Sequence, residues 1–460
     1  MKLATSKKAD INYLAKIVRI EFFKAHSNPE VKRLKCCTID GFNIITSIDS
    51  PPGLYVYFPV MSQLNPNFLS YANLYRHSEK NNNPEKSGMF EDNGRVKAIA
   101  LKGEKSEGFI IDYQILENWI VSVTNKDLNI SVGQEFDSVE DGNKSFWICR
   151  KYIIKENIPR SSRGNSKYKI SGKLQDKVIP SQFRFHYQTL IYRKVPNFIN
   201  PTDIIHISSK IHGTSGISAN VLVREEKTFK NRLLKWITEN IFKKTYNDTK
   251  YDNLYASRTV IKNKYYNKEV SSGYYTIDVW KYADNIVKPH LPVGYTAYYE
   301  IVGYLPDGKF IQKNYDYGCV PPSEGKYENE KNFKVRIYRI TITNINGDVY
   351  ELTPTEVQRW CKENGLNPVK ELYCGQASSL YGLPENEEFG KWFIDKLADD
   401  GDRFYMELDS PDCNNKVPHE GIVLKVLGKN SEATKLKCFH FLSHESSELD
   451  KGISNIEDEN

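Results

Sequence analysis

Apolar and polar residues alternate along RLKCCTIDGFNIITSID (33–49), and the alternation turns at Asp40-Gly41. A period of two interrupted by an Asp-Gly pair predicts two strands joined by a tight hairpin. LYVYFPVMSQL (54–64) is another strand-like run, and GRVKAIALKGEKSEGFII (94–111) reads as two strands around a Lys-Gly turn. Short strands with regular turns predict a small barrel or sandwich in this first part of the chain. EKNNNPEKSG (79–88) is a polar loop between them. IPRSSRGNSKYK (158–169) has Pro, Gly, Ser and charge without periodicity, which places a linker over 158–179. It divides a unit over 1–157 from a mixed α+β unit over 180–446, with an acidic tail at 447–460.

The second unit holds two helical patterns. Thr353-Pro354-Thr355-Glu356 is a capping box with Pro at the first helical position, and Gly365 supplies the stop. In KTFKNRLLKWITENIFKK (227–244), Phe229, Leu233, Trp236, Ile237 and Ile241 fall on one helical face. Lys227, Lys230, Lys235 and Lys244 fall on the other; a solvated face is the simpler expectation there, with RNA contact as the alternative. Strand patterns recur at DIIHI (203–207), SANVLVRE (218–225), YTAYYEIVGY (295–304), HEGIVLKV (419–426) and ATKLKCF (433–439).

Composition narrows the class. With 460 residues and 39% hydrophobic content, the chain can fill two or three cores. No run approaches the roughly 18 apolar residues of a membrane span, and the N-terminus lacks the apolar core of a signal peptide. No membrane partner and no secretion are expected. The eight cysteines form no C-x-x-C pair, which argues against zinc and for reduced thiols in a cytoplasmic protein. A net charge of +6 is compatible with nucleic acid without demanding it. Residues 1–35 carry nine basic and three acidic side chains, which fits a nucleic-acid platform or a polar terminal arm.

Four separated pieces share one chemistry. SSKIHGTSGIS (208–218) displays Lys210 in a glycine-punctuated turn between two strands. Glu300 lies within YTAYYEIVGY, Glu420 opens HEGIVLKV, and Lys435 and Lys437 lie two apart in ATKLKCF. Side chains at i and i+2 of a strand share a face, so the two lysines can address the same phosphates. A lysine that attacks the α-phosphorus of ATP must first become neutral. Lowering its pKa from about 10.4 to roughly 7.5 costs about 4 kcal/mol. Nearby cations, a metal ion and other lysines, supply that bias and also neutralise the triphosphate. Carboxylates hold the metal, since magnesium prefers oxygen ligands. The product would be a lysyl-AMP phosphoramidate. Lys425 follows Glu420 by five residues, an odd number, and is therefore expected to face away from it unless a bulge intervenes.

The order and spacing of these pieces resemble the covalent nucleotidyltransferases, and within them the polynucleotide ligases. KIHGT is similar to the nucleophile motif of phage-type double-strand RNA ligases, more than to K-x-D-G of DNA ligases and capping enzymes. EIVG, EGIVLK and KLK resemble the later motifs in the right order. SRTVIKN (257–263) resembles the segment whose arginine contacts nucleotide, which points to Arg258. FKVRIYRITITN (333–344) sits where the adenine-stacking strand belongs, with Tyr338, Phe333 and Val335 as candidates. The small β unit in front resembles the Deinococcus-type RNA ligases, which begin with an OB-fold. The stretch after Lys437 leaves no room for the usual C-terminal accessory domain. Two positions depart from the phage pattern: Ser209 stands where an acidic residue often precedes the lysine, and Ser215 follows Thr214 where Asn is usual.

The resemblance implies an α+β protein: an N-terminal OB-like β-barrel, then an ATP-grasp-like nucleotidyltransferase domain of antiparallel sheets flanked by helices. It implies ATP and Mg2+ (or Mn2+) as cofactors, and RNA, in the form of a nicked duplex, as partner of a monomer. Lys210 would take AMP, Glu300 would bind ribose or metal, and Glu420 would hold metal. Lys435, Lys437 and Arg258 would bind phosphates, and His212 would orient substrate. The alternatives are a DNA ligase and a nucleic-acid-binding protein with an inactive nucleotidyltransferase fold. A capping guanylyltransferase would need K-x-D-G and a C-terminal OB-fold.

Overall fold

Two five-stranded sheets carry the second half of the chain in this computed structural model. It describes residues 1–460 apart from 8, 143, 154–177, 226–227, 263–274, 276, 415, 429–432 and 453–460. Most of the expected linker, 158–177, and the end of the acidic tail lie outside the described residues. The first sheet runs Thr249–Ser257, Thr214–Arg224, Tyr295–Gly303, Phe333–Thr343, Val349–Glu351, all antiparallel. The second runs Leu190–Ile191, Ala433–Lys437, Gly421–Val426, Ile204–Ser209, Glu371–Gln376, antiparallel except at its Leu190–Ile191 edge. Ile204–Ser209 and Thr214–Arg224 follow one another in sequence but belong to different sheets. The short segment between them, which holds Lys210, crosses the seam.

Alternation fixes which face each strand buries. Ile205, Ile207, Ile422, Leu424, Val426 and Leu436 enter one core with Phe393, Leu397 and Phe404. The intervening Val423, Lys425 and Lys435 face the other way, towards the first sheet. Behind the first sheet, Val279, Trp280, Ala283 and Val287 of the Val279–Val287 helix pack on Ala297, Tyr299 and Ile301. The Pro354–Glu363 helix adds Val357 and Cys361 to that core. Its capping box forms as expected: Thr353 N donates to Glu356 Oε2 at 2.7 Å, and Glu356 N donates to Thr353 Oγ1 at 3.3 Å.

In the first part of the chain, Leu34–Ile39 and Phe42–Ser47 pair as the expected hairpin. Asp40 (φ 49°) and Gly41 (φ 78°) both take left-handed backbone, as a two-residue primed turn requires. Lys102 (φ 52°) and Gly103 (φ 93°) do the same between Ile99–Leu101 and Glu104–Ser106. The expected barrel does not close among the described residues. The strands divide into five small sheets. Leu116, Trp119 and Ile120 of the Tyr113–Thr124 helix pack with Phe58, Phe68 and Phe136.

This unit grips the C-terminal helix, Phe439–Asp450. Arg95, 2% exposed, donates to Asp450 Oδ1 at 2.6 Å and to Ser446 O at 3.0 Å. Lys97 Nζ reaches Asp450 Oδ2 at 2.8 Å. At the other end, Glu407 accepts from Phe439 N and His440 N and pairs with Lys105 at 3.1 Å. The helix therefore runs into the stretch expected as a tail, held by charge at both ends.

The 227–244 pattern does form a helix, Phe229–Trp236, continued by a wider turn over Ile237–Ile241. Among the described residues its apolar face joins no core cluster, and none of its residues is buried.

All eight cysteines are free thiols, and all but Cys374 are buried. Among the described residues, no helix is long and apolar enough to cross a membrane.

Candidate active site

Lys210 leaves the Ile204–Ser209 strand with its backbone N–H donating to Gly421 O at 2.8 Å. Its Nζ lies 2.8 Å from Glu420 Oε1, and Lys437 Nζ lies 3.1 Å from the same oxygen. The Glu420 side chain is wholly buried, while the two lysines keep 13% and 18% exposure. His212 Nδ1 stands 3.9 Å from Glu420 Oε2. The imidazole is fixed edge-on between Tyr315 (4.7 Å) and Phe441 (5.0 Å), and His212 N donates to Tyr317 Oη at 2.6 Å. Phe441 also underlies Lys437 Nζ at 4.8 Å. The C-terminal helix thus supports both groups.

Two glycines make this approach possible. A Cβ on Gly213 would stand 2.4 Å from Ile301 O and 2.8 Å from Glu300 Cγ. A Cβ on Gly421 would stand 2.1 Å from Leu436 O, and its φ of +135° also favours glycine. The glycine after His212 and the one after Glu420 are therefore packing requirements of the seam.

A pocket opens between the sheets on the other side of Lys210. Lys210, Lys425 and Lys435 line it from the second sheet, Ser215, Glu300, Tyr338 and Arg339 from the first. Arg258, just past the Thr249–Ser257 strand, also lines it, as do His186 and Tyr187. Glu300 is 6% exposed and pairs in register with Ser215, whose Oγ donates to Glu300 Oε2 at 3.1 Å. The seven sequence candidates therefore form two adjoining groups that share Lys210. Lys210, Arg258, Glu300 and Lys435 line the pocket, while His212, Glu420 and Lys437 form the buried cluster beside it.

Of the candidates on the 333–344 strand, Tyr338 lines the pocket. A register shift opposite Tyr298/Tyr299 interrupts the alternation at this point. Tyr338 Oη is 2.6 Å from His186 Nδ1. Phe333 stacks on Tyr327 at 4.5 Å and Val335 joins the core behind the sheet.

Lys425, which the motif reading leaves out of the site, belongs to the pocket wall. Glu420 belongs to the buried cluster beside the pocket, and the pairing of Gly421–Val426 runs without a register shift. Lys425 pairs with Glu351 at 2.9 Å, and Arg339 Nε donates to the same carboxylate at 2.7 Å. Arg339 is sandwiched between the rings of Tyr187 (4.6 Å) and Tyr298 (4.5 Å). Burial alone would raise the Glu351 carboxyl, but Lys425 and Arg339 hold it below the usual range. Burial in turn lowers the Lys425 ammonium. This ionic wall has no sequence motif that could have announced it.

The other unforeseen group is His419. Its Nε2 is 2.8 Å from Ser209 Oγ, so the serine standing in the usual acidic position has a buried partner. Burial pushes the imidazole down to about 4, against the pull of neighbouring Glu420. An unfolded histidine takes a proton below about pH 6.5, whereas this one resists until about 4. Its contribution to stability is therefore complete above 6.5 and is lost as pH falls towards 4. The expected loss at pH 5 is about 2 kcal/mol. Urea melts at pH 7 and pH 5 measure it. In His419→Gln the difference between the two melts should shrink by that amount, and an unchanged difference would assign the titration elsewhere.

No protein-family model matches the chain, and no curated protein matches it in sequence. Solved structures do match. A substituted Naegleria gruberi RNA ligase with AMP and Mn has a TM-score of 0.50 at 13% identity, over 94% of this chain and 98% of that one. A substituted form of that ligase without ligand gives 0.51 at 12% identity, over 95% and 99%. The ligase with PPi gives 0.50 at 13% identity, over 95% and 99%. The likeness is one of fold, and it spans both units of the chain.

Proposed function

We propose that the protein is an ATP-dependent RNA ligase that joins a 3′-hydroxyl to a 5′-phosphate through lysyl-AMP and 5′-adenylylated RNA. The observation that carries this reading is the Lys210 amine, at the meeting point of the pocket between the sheets and a buried carboxylate that it shares with Lys437. The fold shared with Naegleria gruberi RNA ligase supports it.

In the first step the Lys210 nitrogen attacks the α-phosphorus, a P–N bond forms, and the bond to pyrophosphate breaks. The ammonium must first lose its proton, and Glu420 Oε1 is within proton-transfer reach of Nζ at 2.8 Å. One carboxylate between two ammonium groups leaves the cluster net positive, which makes discharging one amine cheaper than in a private ion pair. Lys435 and Arg258 line the pocket with positive charge suited to phosphates, and His212 borders the nucleophile. Lys435 and Lys437 flank the same strand face, with Val423 and Gly421 as their register partners. In the second step a 5′-phosphate oxygen attacks the lysyl-AMP phosphorus and Lys210 leaves as the amine. In the third, the 3′-hydroxyl attacks the capped end and AMP departs. Most of the effect is positioning and charge neutralisation.

A divalent ion, Mg2+ or Mn2+, fits the donor set. Glu420 and Glu300 offer hard carboxylate oxygens, and Glu300 lines the pocket. That suits an ion held by one or two carboxylates and the substrate phosphates. When bound, the ion would neutralise charge on the phosphates. The pocket's aromatic candidate for the base is Tyr338. Residues 1–157 are read as an OB-type nucleic-acid platform, 180–446 as the catalytic domain, and the protein as a cytoplasmic monomer.

A sealing assay tests the reading. Nicked duplex RNA, single-stranded RNA, all-DNA nicks and nicks with one deoxynucleotide at the 3′-hydroxyl are compared with ATP and magnesium. Sealing of the RNA nick above the DNA nick is expected. Equal sealing of all-DNA nicks would favour a DNA ligase, and no sealing or enzyme labelling at all would favour a binding protein.

A further inference from the structure

We propose that the Phe229–Ile241 helix docks this protein on an anionic lipid bilayer surface. The inference is independent of the ligase reading, and it revises the expectation that the chain has no membrane partner. The helix is an excursion between two paired strands of the first sheet, Thr214–Arg224 and Thr249–Ser257, whose ends meet at Arg224 and Thr249. The sheet is complete without it. Phe229 is 83% exposed, Trp236 57%, Ile241 58% and Phe242 64%, with Leu233 and Leu234 also exposed. Single exposed apolar residues are ordinary, but six within fourteen positions concentrate apolar surface on one excursion from the sheet.

Charge chooses the occupant. Between 228 and 244 there are five cations, Lys230, Arg232, Lys235, Lys243 and Lys244, and one anion, Glu239. A second copy of the helix would bring like charges together. An RNA duplex would satisfy the cations but leave the apolar side chains in water. A bilayer carrying anionic headgroups satisfies both: the aromatic and aliphatic side chains enter the acyl boundary and the lysines and arginine remain among the headgroups. The helix is far too short to span, so the mode is interfacial.

The test is co-sedimentation of the full chain with vesicles of phosphatidylcholine alone or of phosphatidylcholine mixed with phosphatidylserine. Binding to the mixed vesicles, weakened by high salt, is expected. Two double variants, Leu233→Glu with Trp236→Glu and Lys230→Glu with Lys235→Glu, should each lower vesicle affinity about tenfold or more. Because these side chains are exposed, the circular dichroism spectrum and melting temperature of both variants should match the parent. The proposal is overturned if phosphatidylserine makes no difference, or if both variants bind as well as the parent. It is also overturned if the variants lose duplex RNA binding or self-association while the parent ignores vesicles, which would assign the helix to RNA or to a second copy.

Discussion

Lys210→Arg is expected to take up no label from α-labelled ATP, yet still to join RNA that already carries a 5′-AMP cap. Arginine keeps the positive charge opposite Glu420, so the buried carboxylate retains both cationic neighbours. What it cannot do is become neutral, because a guanidinium holds its proton throughout the accessible pH range. The nucleophile is consumed only in the first step. Joining that starts from ATP should therefore fall by about 10⁴-fold or more, some 5 kcal/mol at 1.36 kcal/mol per decade. Sealing of capped RNA should fall far less. Gel assays of both reactions on one preparation measure the split. Equal loss in both would mean that residue 210 serves binding, and that another group carries AMP.

Glu420→Gln should damage both stability and chemistry. The carboxylate is fully buried, and its removal leaves two ammonium groups facing a neutral amide. Breaking a buried ion pair from one side typically costs about 3–5 kcal/mol, although the partial exposure of the lysines will soften this. Labelling by ATP should drop by about 10²–10³-fold, the usual scale for a lost electrostatic group at a reaction centre. The melting temperature separates the two effects. ATP brings negative charge to the same lysines, so it should raise the melting temperature of the Gln variant more than that of the parent. Identical shifts would show that the two lysines do not meet the nucleotide.

Several elements of the fold were legible because their signals are local. The Asp40-Gly41 and Lys102-Gly103 turns need backbone that few residue pairs adopt, and the capping box at Thr353 satisfies its own donors within four residues. Lys435 and Lys437 share a face because a strand has a period of two. The same rule separates Lys425 from Glu420, but it does not reveal that the face Lys425 occupies is the pocket wall. The charge environment of Lys210 was expected to be dominated by cations; a carboxylate, itself shared with a cation, lies 2.8 Å from its amine. The Arg339–Glu351–Lys425 wall and the His419–Ser209 contact join residues far apart in sequence, so no short pattern contains them. Amphipathicity at 229–241 was plain, but a pattern of apolar residues does not say whether the surface they cover belongs to the same chain. Barrel closure likewise depends on strand pairings between distant segments, which alternation does not specify.

The most direct measurement is mass-spectrometric peptide mapping of the protein after incubation with ATP and a divalent metal. The account predicts one acid-labile AMP adduct, on the peptide that contains Ser208 to Thr214, with the modified nitrogen at Lys210. An adduct on Lys435 or Lys437 instead, or turnover of ATP into sealed RNA with no adduct on the protein, would contradict it.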